Sequence, residues 1–188
     1  DGLLGRYWID ETLANDFPSG GAPTLTTNNA VTYFTGHVSG TSAVQLTPAN
    51  EAYIGSTDAG FRTTMGGTNA FTILMWMRSS DASRASDVSG LGSELSAFRF
   101  DNSSWWNKRD TGFDAMDVGF IPASNTWYHL VQTFSGTETK FYVDNALKNT
   151  VSESNSLSLS LVAPIYLSNP DAVAQGNALY FYDRVLTT

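Results

Sequence analysis

Short apolar runs broken by Gly, Ser, Thr, Asn and Asp set the rhythm of this chain. The spacing is that of strands and turns in an all-β sandwich. Trp127-Tyr128-His129-Leu130-Val131-Gln132-Thr133-Phe134 is aromatic and β-branched, as a strand prefers. Ser135-Gly136-Thr137-Glu138 then turns the chain, and Thr139 to Val143 runs back. Asp144-Asn145 supplies a second tight turn, because both residue types tolerate left-handed backbone, and Ala146 to Val151 follows. An antiparallel meander is predicted.

Further strands are predicted over Leu3–Ile9, Ala30–Phe34, Ala43–Leu46, Phe71–Met77, Ser96–Phe100 and Phe113–Phe120. The late ones are Ser156–Leu161, Ile165–Leu167 and Ala178–Tyr182. Phe71-Thr72-Ile73-Leu74-Met75-Trp76-Met77 is nearly apolar on both faces. That suits a central strand covered on both sides, or one whose outer face lines a groove. Ser79 to Gly92, rich in Ser, Asp and Gly, reads as a long loop. No helical stripe exceeds about ten residues. With no repeat or linker in view, residues 1–188 read as a single domain.

Composition narrows the function classes. Charged residues are only 15% and apolar ones 41%, which excludes a disordered chain. Net charge is −8, and the 10 Lys and Arg never cluster beyond Lys108-Arg109. A phosphate backbone needs several cations on one face, so nucleic acid is not an expected partner. No apolar run approaches the roughly 18 residues of a membrane span. Without cysteine, disulfides and thiolate chemistry are excluded. The chain reads as a mature product or as a domain excised from a larger protein.

Four motifs carry a family resemblance. Asn125 to Val131, Phe134 to Thr137 and Lys140 to Asn145 resemble the Trp-x-His-Leu-Val strand and following hairpin of the laminin-G-like, concanavalin A-like lectin/glucanase superfamily. Leu4 to Asp10 resembles its opening aromatic strand, Phe71 to Met77 its Phe-Thr-x-x-x-Trp strand, and Ala178 to Leu186 its closing strand. The resemblance implies a jelly-roll sandwich of two curved antiparallel sheets. It also implies a structural calcium, whose matching positions here are Asp10 and Asn177. The family usually has Asp where this chain has Asn177. An Asn carbonyl still ligates calcium but brings less charge.

Chemistry-bearing clusters are few. Relatives that hydrolyse glucans carry Glu-x-Asp-x-x-Glu, and none of the five Glu here begins such a motif. Asp114 and Asp117 form the closest acidic pair, but a spacing of three puts them on opposite faces of a regular strand. His37 and His129 do not have zinc-binding spacing, and His129 falls inside the Trp-x-His strand, where a structural role is expected. One segment concentrates the residue types that hold sugars: Asp101, Asn102, Trp105, Trp106 and Arg109. Aromatic faces pack on sugar C–H groups while polar side chains orient the ligand.

The expected function is a non-catalytic carbohydrate-binding or adhesion module of an extracellular or cell-surface protein, calcium-assisted, with glycan as ligand. The alternative is a structural or protein-interaction module among other domains of a larger surface assembly. A divergent polysaccharide hydrolase or lyase using Asp114 and Asp117 ranks third.

Overall fold

In the computed structural model the described residues form fifteen strands, and every pairing between them is antiparallel. The structure describes residues 2–7, 26–27, 32–38, 40–46, 52–54, 70–79, 86–90, 96–101, 104–108, 115–117, 120, 123–152, 165–167 and 174–187. No helix occurs among them. The strands are β1 (Leu3–Tyr7), β2 (Thr26–Thr27), β3 (Thr32–Thr35), β4 (Ser42–Leu46), β5 (Ala52–Ile54), β6 (Phe71–Ser79), β7 (Ser86–Gly90) and β8 (Ser96–Asp101). They continue with β9 (Ser104–Lys108), β10 (Ala115–Asp117), β11 (Tyr128–Phe134), β12 (Glu138–Val143), β13 (Ala146–Ser152), β14 (Ile165–Leu167) and β15 (Ala174–Tyr182). For β2, β5, β7 to β10, β14 and residues 174–177, only the backbone is described.

An eight-stranded sheet runs β13-β12-β11-β6-β15-β4-β3, with β1 also on β15. A four-stranded sheet runs β10-β9-β8-β7, and a three-stranded one runs β14-β5-β2. The two smaller sheets abut where β14 approaches β7.

The predicted meander is present as β11, β12 and β13. Asp144 and Asn145 take φ of 49° and 65°, the left-handed pair that a two-residue type I′ hairpin requires. Gly136 takes φ of 97° in the preceding turn, where Ser135 N–H donates to the Glu138 carbonyl. β6 is central, with β11 on one side and β15 on the other. Its odd positions Phe71, Ile73, Met75 and Met77 are no more than 1% exposed. Leu130, Phe134, Phe141, Val143, Leu179 and Phe181 extend this core, and the Phe71 and Phe134 rings meet at 5.4 Å.

Three expectations are corrected. The span Ser79 to Gly92 is not all loop: β6 continues through Ser79, and β7 occupies Ser86–Gly90 against β8. Within the predicted strand Phe113–Phe120, Ala115–Asp117 is strand β10 and Phe120 is not strand, while residues 113–114 and 118–119 lie outside the described residues. The closing strand starts four residues early, at Ala174. The predicted strand Ser156–Leu161 lies outside the described residues. Within β15 the register shifts between Asn177 and Tyr180, and buried Ala178 adopts φ of 52°. At this bulge β15 exchanges its outer neighbour, from β4 at 174–176 to β1 at 179–182.

Candidate aromatic site on the outer sheet face

Alternation along β6 turns Leu74, Trp76 and Arg78 to the face opposite the core. The ladder sets Trp76 directly across from His129 on β11, and Leu74 across from Val131. Val131 faces Tyr142 on β12. This outer face is half-buried and carries the densest ring cluster among the described residues.

Trp76 is its centre. The His37 imidazole stacks on the indole at 4.0 Å and 12°, and the His129 ring lies 5.1 Å from it at 36°. Trp127 meets His37 edge-on at 6.1 Å, and the Arg78 guanidinium sits 5.1 Å over the Trp127 ring. That last geometry is a cation–π contact.

Each ring is held by local structure. His37 lies in the β3–β4 turn, which Gly36 N–H closes on the Thr41 carbonyl at 2.7 Å and Thr41 N–H closes on Val38 at 3.1 Å. Gly36 is buried there, and a Cβ on it would collide with Thr41 Oγ1. Trp127 follows a turn over Ala123–Thr126, in which Asn125 has φ of 59° and the Tyr128 hydroxyl accepts from Ala123 N–H. His129 N–H donates to Asp144 Oδ1 at 2.9 Å, and Asp144 N–H returns a bond to the His129 carbonyl. Burial holds the His129 imidazole below the usual histidine range, the Asp144 carboxylate opposes this, and His37 adds a push downward.

Beside the stack is an open pocket of about 170 Å³, with His129 as the shared wall. Leu74, Val131 and Tyr142 make its apolar side, and Thr133, Asn145 and Thr187 bring polar groups. Leu186 closes it. That last segment is fixed by Thr72, whose hydroxyl donates to the Arg184 carbonyl at 2.7 Å and accepts from Leu186 N–H at 3.0 Å.

The residues singled out by sequence lie elsewhere. Trp105 and Trp106 are consecutive in β9, a strand paired on both sides, and Asp101 ends β8 opposite Ser104. Asn102, Arg109, Asp10 and Asp114 lie outside the described residues. Asn177 is on β15 opposite Trp76, and Asp117 is on β10 opposite Trp106. No group of three metal-ligating side chains occurs among the described residues. Sequence reading placed Trp76 and Trp127 in strand motifs without assigning them to a site. The available signal was alternation: Trp76 and Arg78 share a face, as do Trp127 and His129.

An antiparallel jelly-roll sheet with an aromatic outer face defines a lectin-like β-sandwich. A family model for the concanavalin A-like lectin/glucanases superfamily matches residues 39–187, and the chain belongs to that superfamily. No curated protein matches it. Among solved structures it is similar to domain 4 of an extracellular arabinanase from Geobacillus stearothermophilus, solved with arabinotriose. The TM-score is 0.71 at 14% identity, covering 98% of this chain and 94% of that one. It is also similar to the binding domain of Paraclostridial Mosquitocidal Protein 1 (TM-score 0.73, 14% identity, 100% and 50% covered). A third is the binding domain of botulinum neurotoxin DC with rat synaptotagmin II (TM-score 0.71, 13% identity, 100% and 49% covered). The chain thus spans about half the length of those toxin domains. Likeness at this identity fixes the fold and leaves function to the site.

Proposed function

We propose that the protein is a non-catalytic glycan-binding module of an extracellular or cell-surface protein, with the outer face around Trp76 as its site. The observation that carries this reading is the ring cluster of Trp76, Trp127, His37 and His129 beside a pocket with apolar walls and a polar rim. Sugars bind where apolar surface meets their C–H faces and a few polar groups fix their hydroxyls. The sequence lacks the acid motif that glucan-hydrolysing relatives use. The arabinanase domain bound to arabinotriose supports a glycan ligand, and its extracellular parent supports the location. Asp101, Asn102, Trp105, Trp106 and Arg109 form a second contact in this proposal, and Asp10 with Asn177 a calcium position.

The test is a glycan array with calcium and with EDTA, on wild type, Trp76→Ala and Trp105→Ala. Binding that Trp76→Ala abolishes supports the site. Binding lost only in Trp105→Ala moves the site to β9. Absence of any glycan signal rejects the glycan reading.

A second reading has its own support: a protein-interaction module of a larger assembly. The similar neurotoxin binding domain was solved with a protein, synaptotagmin II. Concentration-dependent assembly in scattering, without glycan binding, would establish it.

A further inference from the structure

The outer face gathers three nitrogen-bearing side chains around its rings. Net charge is −8, yet Arg78, His37 and His129 converge on two indoles. The three come from separate elements: Arg78 from β6, His37 from the β3–β4 turn, and His129 from β11. Asp144, from the β12–β13 turn, is the acid that acts on His129 among the described residues, and its carboxylate accepts the His129 backbone N–H. Tyr142, on β12, is the remaining titratable side chain along the adjoining pocket.

This arrangement selects among glycans. A neutral sugar takes only ordinary hydrogen bonds from a guanidinium or an imidazole. A carboxylate gains charge-assisted bonds, and its planar fork matches the planar fork of Arg. The pocket of about 170 Å³ is open and has His129 in its wall, so a sugar ring against Leu74, Val131 and Tyr142 meets His129, and the next units of an oligosaccharide running over Trp76 reach His37 and then Arg78.

We propose that the site takes carboxylated oligosaccharides, with a sugar ring in the Leu74–Val131–Tyr142 pocket and carboxylates directed to His129, His37 and Arg78. The proposal rests on the glycan-binding reading above. Burial opposes protonation of His129, and a carboxylate beside it offsets that, so binding takes up a proton there and affinity rises as pH falls. It also weakens with salt, as exposed charge pairing does.

The experiment pairs each acidic ligand with its uncharged twin: oligogalacturonides, oligoalginates and sialylated oligosaccharides, each against its methyl ester. Titration calorimetry is run at pH 7.5 and 5.5, in low and high salt. The acid should bind about tenfold more tightly than its ester, the loss expected for one charge-assisted hydrogen bond. The margin should widen at pH 5.5 and shrink in salt. Arg78→Gln and His37→Gln should each reduce the preference while ester binding persists. That persistence also shows that the variants are folded. Equal binding of acid and ester overturns the acidic preference and leaves glycan binding standing. Binding of neutral oligosaccharides alone does the same. Binding of no glycan of either kind overturns both readings.

Discussion

Trp76 and His129 are direct partners across the β6–β11 ladder, and their rings approach to 5.1 Å on the face away from the core. The pair joins two roles. It closes the sheet surface above Met75 and Leu130, and it forms the boundary between ring stack and pocket. Truncating Trp76 should therefore cost stability as well as binding. For Trp76→Ala we expect a loss of about 2 kcal/mol, below the 3–5 of a fully buried aromatic. Urea unfolding checks it; an unchanged midpoint would show that the indole lies idle on the sheet.

His129 gives the molecule a pH-dependent stability. Its folded value lies below the ordinary 6.5, chiefly through burial. The unfolded chain therefore takes the proton first as pH falls. This contribution is full above the ordinary value and is lost progressively below it, towards the folded one. The thermal midpoint should fall between pH 7.5 and 5.5, and His129→Gln should fall less over the same window. Parallel curves would place the sensitivity elsewhere.

Much of this fold was legible in the sequence because local rules suffice for it. The β11–β13 meander follows from β-branched runs between Gly136 and Asp144-Asn145 turns, and β6 from an apolar run framed by polar and small residues in the sequence. β7 was not legible, since Ser86–Gly90 has little strand propensity and is a strand only through pairing with β8. The site was illegible for a different reason. His37 reaches Trp76 although both β4 and β15 lie between β3 and β6 in the sheet. Alternation assigns faces, but it does not report which loop folds over which strand.

The Asp144-Asn145 turn should respond in opposite directions to two changes. Asp144→Ala removes the carboxylate that receives the His129 N–H and puts a Cβ residue without a helpful side chain at φ of 49°. A loss of about 1–2 kcal/mol is expected from the missing bond and the left-handed strain together. Asn145→Gly places glycine at φ of 65°, the residue preferred there in type I′ turns. A gain of a few tenths to about 1 kcal/mol is expected. Denaturant midpoints of both variants check the signs.

Gly36 controls the stack from a distance. A methyl group there would collide with Thr41 Oγ1 and lie 3.0 Å from the Ser42 carbonyl oxygen. The β3–β4 turn must shift to admit it, and His37 moves with the turn. Gly36→Ala should weaken acidic-glycan binding about as much as His37→Gln does, without touching a ligand group. Full binding by Gly36→Ala would mean that the His37 position is not needed.

Thr72 ties the end of the chain to the site. Its side chain is fully buried on the outer face, where the hydroxyl both donates to the Arg184 carbonyl and accepts from the Leu186 N–H. Thr72→Val keeps the shape and removes both bonds, leaving two part-buried backbone groups without this partner. A cost of about 1–3 kcal/mol follows if water does not replace it. Leu186 and Thr187 then lose their anchor and the pocket loses that wall. Thr72→Ser keeps the hydroxyl and should restore both stability and ligand affinity, apart from the small cost of the lost methyl. If Val and Ser variants bind equally well, the terminal segment is a passive cover. If only Ser binds, the segment is part of the site, and the Thr72 hydroxyl positions it.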